Sequence, residues 1–339
     1  MTRILLGDIG GTNARFAALT DGAPGPIQRL RVADHATPDA ALQRFIAGDG
    51  VPHRFDGAIL AVAGHVDDGR CALTNGAWTL DASTLGKALG GAPVHLINDH
   101  EAIAWALPRL TEAETLRLGT GGSGGIGPMV VVGPGTGLGV ACIARDGAGR
   151  PAHALPSEGG HATLAPVNER EDAIVGALRR RFGHVSAERV LSGPGLVNLY
   201  DVLARLDGVD APRRTAPEIT EAAVADACAA SRAALDAFCG FLGAVAGDFA
   251  LTFGARGGVY IAGGIVPRLA GYVAASTFRQ RFEDKGRLRP YLAAIPTRVV
   301  LRPDPAFRAR GPRGAIAGGS AMKPPRTPVR DAGGGNGRP

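Results

Sequence analysis

Ile4-Leu5-Leu6-Gly7-Asp8-Ile9-Gly10-Gly11-Thr12-Asn13-Ala14-Arg15-Phe16-Ala17 is the stretch on which the fold turns. An apolar run of strand length enters a Gly-Asp-Ile-Gly-Gly-Thr turn and leaves as a second strand. Without a Cβ at the turn glycines, backbone N–H groups can converge on one point. Thr12 adds a hydroxyl, and the Asp8 carboxylate can hold a cation directly or through water. Such a turn is a phosphate cradle with one acid for magnesium. A Gly-rich β-hairpin has the same local pattern, but a similar unit returns at Met129-Val130-Val131-Val132-Gly133-Pro134-Gly135-Thr136-Gly137-Leu138-Gly139-Val140-Ala141. Two such units predict a duplicated α/β fold with a nucleotide between the halves.

The 339 residues suffice for two domains, each with its own core. A formal charge of +6 invites a nucleic-acid reading. Residues 302–339, however, carry eight Lys or Arg against two Asp, so that excess resides in the tail and the body is balanced. No nucleic-acid partner is expected. Cys71, Cys142, Cys228 and Cys239 are widely spaced with no CxxC, which predicts buried, reduced thiols in a cytoplasmic protein. The first core strand starts within a few residues of Met1, so no signal peptide is expected. No apolar run reads as long enough to cross a bilayer, so no membrane partner is expected either.

Working outward, Ile27–Ala33 reads as a third strand and Asp39–Ala47 as a helix. Gly57–Gly64 is a continuous apolar run, a strand covered on both faces. Helix Asp81–Leu89, strand Val94–Ile97 and helix Glu101–Leu107, ended by Pro108, follow. The order is a three-strand meander feeding crossover helices, so the sheet should be mixed. Residues 119–128 read as a flexible surface loop leading into a second domain, where the meander recurs at Met129–Val132, Gly137–Ala144 and near His153–Leu155. Helices are expected over Glu171–Arg181, Pro194–Leu206 and an Ala-rich stretch from Thr220 to about Phe253. Gly258–Ile265 mirrors Gly57–Gly64, and Arg298–Leu301 is a last strand. The domains expected are a small one over 1–110, completed by about 302–318, and a large one over 111–301. A disordered basic tail over 321–339 completes the chain.

Asp99 sits where a strand ends and a helix begins, the edge at which α/β sheets collect ligands; taken alone, it reads first as a plain N-cap aspartate. Asn75, Ser157-Glu158-Gly159-Gly160-His161 and Glu188 add polar groups in loops. His161 alone reads as a turn histidine, and Glu188 as an acid favoured in the first turn of a helix. Together, carboxylates, an amide and an imidazole suit a ligand rich in hydroxyls.

These residues resemble the bacterial glucokinases of the non-ROK type, within the actin/hexokinase/Hsp70-like (ribonuclease H-like) ATPase fold. The likeness runs from Ile4 to about Pro305. Its blocks are Gly7–Arg15, Ile97-Asn98-Asp99, Gly133–Val140, Glu158–His161, Glu188–Gly195 and Ile261–Arg268. The resemblance implies ATP-dependent phosphorylation of D-glucose at its 6-hydroxyl by duplicated domains flanking a cleft. It implies that Gly7, Asp8, Ile9, Gly10, Gly11 and Thr12, with Gly133, Gly135, Thr136 and Gly137, grip ATP phosphates. Asp8 would meet Mg2+, through water, and Gly263 and Gly264 would border the adenosine. Asn98, Asp99, Glu158, His161 and Glu188 would hold glucose, with Asp99 as general base and Asn75 as a further contact. A homodimer is implied as well.

The ROK sugar kinases carry a Cys-rich zinc motif that is missing here. A kinase for another hexose or amino sugar, and a nucleotide-switched actin-like scaffold, are the competing readings. The chain departs from the family at His100, where an aromatic residue usually follows the base. It departs again in the charged stretch Arg308–Arg313, where a closing helix is expected.

Overall fold

The computed structural model describes residues 1–122 and 124–308. Two six-stranded mixed sheets carry the fold. The first holds β1 (Arg3–Ile9), β2 (Asn13–Thr20), β3 (Ala23–Pro24), β4 (Gln28–Arg31), β5 (Gly57–Val62) and, beyond the hairpin β6 (Arg70–Ala72) and β7 (Thr79–Asp81), β8 (Val94–Asn98). The second holds β9 (Thr115–Leu118), β10 (Met129–Pro134), β11 (Leu138–Arg145), β12 (Pro151–Ser157), β13 (Gly258–Ile261) and β14 (Thr297–Val300).

The two sheets repeat one pattern. β1 pairs antiparallel with β2 and parallel with β5, which is parallel to β8. β10 likewise pairs antiparallel with β11 and parallel with β13, which is parallel to β14. β5 and β10 are buried at every position, as expected of central strands covered on both faces. Each half thus begins with a strand–turn–strand unit whose turn projects beyond the sheet.

Around the first sheet, α1 (Pro38–Ile46) and α2 (Ala82–Ala88) cover the face lined by Leu5, Phe16, Leu60 and Leu96. Thr37 starts α1, its hydroxyl accepting from the Ala40 N–H with Pro38 in the first turn. Ala41, Leu42 and Phe45 then fall on its buried stripe. On the opposite face Phe307 returns to pack with Ile4, Leu6, Ala17 and Ile59. Arg302 and Arg308 meanwhile pair with Glu114 beside the second sheet, so this segment touches both halves; residues 309–318 and the tail expected over 321–339 lie outside the described residues.

The second sheet is a sandwich. Beneath it lie α4 (Glu169–Phe182), α5 (Gly193–Leu206), α6 (Ala216–Val224), α7 (Ala229–Thr252), α8 (Ala270–Ala275), α9 (Phe278–Glu283) and α10 (Arg289–Ala293), against Val130, Val132, Val140 and Cys142. Its other face carries α3 (Asp99–Ala106), whose Ala104 and Trp105 rest on Met129, Val131, Ala141 and Ile143. So α3 follows a strand of the first sheet but packs on the second.

Several expectations need correction. The stretch from Thr220 to Phe253 is two helices, broken where Asp226 takes a positive φ of 54°. One of them, α7, is long and apolar enough by length and composition to cross a membrane. The structure shows it instead as a core helix, with Leu235, Phe238, Phe241 and Leu242 buried. The third strand is shorter than Ile27–Ala33, because the chain turns into a 3-10 helix at Val32–Asp34. The 119–128 loop is tied down, with Gly122 N–H bonded to Ala293 and Gly125 N–H to Arg256. Just before it lies β9, an edge strand the sequence reading missed. Cys71, Cys142 and Cys239 are buried free thiols, while Cys228 is half-buried.

Candidate active site

The two projecting turns face one cleft of about 800 Å³ whose wall draws on both sheets. Gly10, Gly11 and Thr12 enter from the β1–β2 turn, and Gly135, Thr136 and Gly137 from the β10–β11 turn. Each turn is closed by a short backbone bond, Gly10 N–H to Asn13 O (2.9 Å) and Gly135 N–H to Gly137 O (2.8 Å). Asp8, Gly133, Gly263 and Gly264 also line the cleft. Gly7 and Ile9, placed at the phosphates by the sequence reading, do not. Ile9 is buried in the core of the first sheet, and Gly7 presses on Leu60 and Phe16, as strand alternation requires.

Asp8 is paired with Arg15, Nη1 to Oδ2 at 2.6 Å, and Arg15 also reaches Asp304 at 3.3 Å. Burial pushes the Asp8 carboxyl above its usual range, against the pull of Arg15, and the nearby Asp99 and Asp304 push the same way as burial. Arg29 joins the group through Asp304 at 2.5 Å.

Asp99 stands at the head of α3, its side chain 31% exposed. The reading of Asp99 as the N-cap is overturned. The cap is Asn98, with φ −63° and ψ 149°, whose Oδ1 accepts from the N–H groups of His100 and Glu101. Asn98 Nδ2 donates to the Gly64 carbonyl, which ties the helix start to the end of β5, and Asn98 lines the cleft beside Asp99. Asp99 is thereby left to face the cleft. His100 Nδ1 lies 2.9 Å from Asp99 Oδ1, and the His100 N–H donates to the same oxygen at 2.8 Å. Burial alone would raise the Asp99 carboxyl, but the His100 charge and hydrogen bonds outweigh it and hold the group below its usual range.

Asn75, Glu158, His161 and Glu188 all line the same cleft. Glu158 and His161 are exposed at the ends of a 3-10 turn over Gly159–His161. Glu188 stands in the first turn of a helix as expected, though that helix is a single 3-10 turn behind Ser186. It lies in the 3-10 turn Ala187–Arg189, and its Oε2 accepts from the Leu138 N–H at 2.9 Å. That hydrogen bond ties it to the end of the β10–β11 turn.

The sequence reading gave no role to Arg29, His65 or Asp304, which also line the cleft. Arg15 stood in its first motif without a function. Asp304 has no local signal, since its partner Arg29 lies 275 residues away.

Residues 5–312 match the glucokinase family profile. The glucokinase of Paramagnetospirillum magneticum is 44% identical over 306 residues, 90% of this chain and 95% of that protein. The chain belongs to the glucokinase family. A solved glucokinase from an Antarctic psychrotroph aligns with a TM-score of 0.82 at 35% identity, over 91% of this chain and 97% of that one. The Balamuthia mandrillaris glucokinase, solved with glucose, gives 0.73 at 22% identity over 91% and 94%, and so reports the fold alone. That fold is the actin-like ATPase fold of the sugar kinases, as the duplicated sheets indicate. Glucokinase membership sets aside the nucleotide-switched scaffold.

Proposed function

We propose that the chain catalyses the ATP-dependent phosphorylation of D-glucose to glucose 6-phosphate with Asp99 as general base. The observation that carries this reading is the placement of Asp99, freed from capping by Asn98, in the cleft that both Gly/Thr turns line. Phosphoryl transfer passes through a loose transition state, so positioning and electrostatics outweigh raw basicity. An ionised carboxylate of low proton affinity then suffices, because it accepts the 6-hydroxyl proton late, as the new bond forms.

Gly10–Thr12 and Gly135–Gly137 would cradle the ATP phosphates from opposite walls, with Gly263 and Gly264 beside the adenosine. Asn98, Asp99, Glu158, His161 and Glu188, with Asn75, would pair with sugar hydroxyls. Among the described residues no cluster of three His, Cys, Asp or Glu is arranged to hold a metal. The donor set fits a magnesium ion carried by the nucleotide, because Mg2+ keeps several waters and needs only one or two carboxylates besides phosphate oxygens. Asp8 would hold it through water, and the ion would supply neutralisation of the phosphate charge. We also propose a cytoplasmic homodimer, on the strength of the family resemblance and the free thiols.

The test is Asp99→Asn. Because Asn98 caps α3, the substitution leaves the helix start intact. Glucose affinity by calorimetry should survive while glucose-dependent ADP release falls by roughly 10²–10⁴-fold. A variant that binds glucose and turns over at the wild-type rate would end the proposal.

A further inference from the structure

β10 and β11 pair so that Gly133 faces Gly139. Both lie on the sheet face that carries α3, two residues along from Val131 and Ala141, which Ala104 and Trp105 cover. At the matching place in the first half, Asp8 faces Arg15, and that pair fills the surface with an ion pair. In the second half the surface is bare backbone, and the His100 ring lies on it. A Cβ added at Gly133 would fall 2.2 Å from His100 Nε2, and one at Gly139 would fall 2.0 Å from Nδ1 and Cε1. The ring is therefore wedged between the Asp99 carboxylate and the strands that carry the second phosphate turn, and only 14% of its side chain is exposed.

This wedge constrains its protons. Nδ1 faces Asp99 Oδ1 at 2.9 Å and must donate. Nε2 is sealed and makes no hydrogen bond, although the Gly133 backbone lies close enough to favour a proton there. Burial by itself would favour the neutral ring. Asp99 and, more weakly, Gly133 and Asp8 outweigh it, so the ring is held above its ordinary pKa. The charged or titratable groups around the pair are Asp8 on β1 with its partner Arg15, and the Cys71 thiol on β6, which burial and, after it, Asp99 push up. On the strands beneath the ring the neighbours are glycines.

We propose that His100 is the positioning residue of the catalytic base: its N–H occupies Oδ1 of Asp99, leaves Oδ2 for the sugar hydroxyl, and so sets the lowest pH at which phosphoryl transfer runs. The inference rests on Asp99 being the base. It differs from a packing role, because packing needs only a ring of the right size in the glycine slot. A phenyl group fills that slot without a donor or a charge.

The experiment is the pH profile of kcat/KM for glucose in the wild type, His100→Phe and His100→Asn, with Asp99→Asn as control. The titration of ATP itself is common to all and cancels in the differences. An opposite charge this close lowers an aspartate by about 1–3 units, so the acid limb of His100→Phe should move up by about that much, while KM for glucose changes little. His100→Asn, which keeps a donor to Oδ1 without the charge, should fall between the two. Acid limbs of both variants that superpose on the wild type, alongside an inactive Asp99→Asn, would overturn the role of His100 and leave the base in place. A fully active Asp99→Asn would instead remove the base itself. Should His100→Phe fail to fold, His100→Asn and 15N NMR of the wild-type ring decide: both ring nitrogens protonated near neutral pH supports the assignment, and an unprotonated Nδ1 refutes it.

Discussion

Gly11→Ala tests whether the phosphate turn and the Asn75 loop move as one. A Cβ at Gly11 would lie 2.0 Å from the Asn75 carbonyl oxygen, 2.6 Å from its carbon and 3.2 Å from its Cβ. The obstacle is backbone, which has no rotamer to yield. Restoring a contact of about 3.5 Å requires the loop to retreat by more than about 1 Å. Overpacking of this kind costs about 1–3 kcal/mol, and the melting temperature should drop by several degrees. The kinetic effect should be larger, because a displacement of about 1 Å in a positioning group costs on the order of 10²-fold. Gly10→Ala is the control for stability: its Cβ would find only Asn13 O at 3.8 Å, so its melting temperature should match the wild type. The assays are thermal melting and kcat/KM for glucose by coupled ADP release. A Gly11→Ala protein with wild-type melting temperature and wild-type kcat/KM would refute the reasoning.

Asp8→Asn removes the carboxylate that pairs with Arg15, so half-maximal activity should need more Mg2+ while calorimetric glucose affinity stays near wild type. A collapse in glucose affinity with unchanged Mg2+ dependence would move Asp8 to the sugar side. Glu114 fastens the returning C-terminal segment. The Thr111 backbone N–H, opposed by some desolvation, and then the Arg302 and Arg308 guanidiniums hold its carboxyl down at about 2. A depressed carboxylate stabilises the fold above its unfolded value of 4.5 and loses that contribution as pH falls toward 2. Glu114→Gln should therefore melt below the wild type at pH 7, with the two curves converging through that window; a constant gap would show that Glu114 contributes no pH-linked stability.

The parts of the molecule legible in the sequence are those where one local pattern decides the outcome. The continuous apolar runs at Gly57–Val62 and Met129–Val132 are buried central strands, because an unbroken run of β-branched and apolar residues of that length suits a strand covered on both faces. The glycine turns were visible because backbone approach needs glycine. What stayed hidden depends on distant partners. β9 is an edge strand whose only warrant is β14, some 180 residues later. The break at Asp226 left no mark in an Ala-rich stretch that is helical on both sides. Within the site, strand alternation could have separated Gly7 and Ile9 from their cleft-lining neighbours. Asn98 could have been preferred as the cap from its place one residue earlier, since either residue caps well. The contact of His100 with a glycine pair on another sheet could not be read from its neighbours in the chain.

The bond from the Leu138 N–H to Glu188 has a consequence for anyone retargeting the sugar specificity. Glu188 looks like an adjustable recognition side chain at the rim of the cleft, yet one of its two oxygens is bonded to Leu138, where the β10–β11 turn enters β11. The carbonyl of the same residue accepts from Ser192 Oγ, and the Gly193 N–H next to it bonds back to Gly135 of that turn. On the function proposed above, a library that randomises position 188 to admit other hexoses would therefore also disturb the turn assigned to ATP. The disturbance would show up as poor nucleotide affinity and be misread as poor sugar recognition. Asn75, Glu158 and His161 are better places to begin, with Glu188→Gln as the one replacement that keeps an acceptor for Leu138.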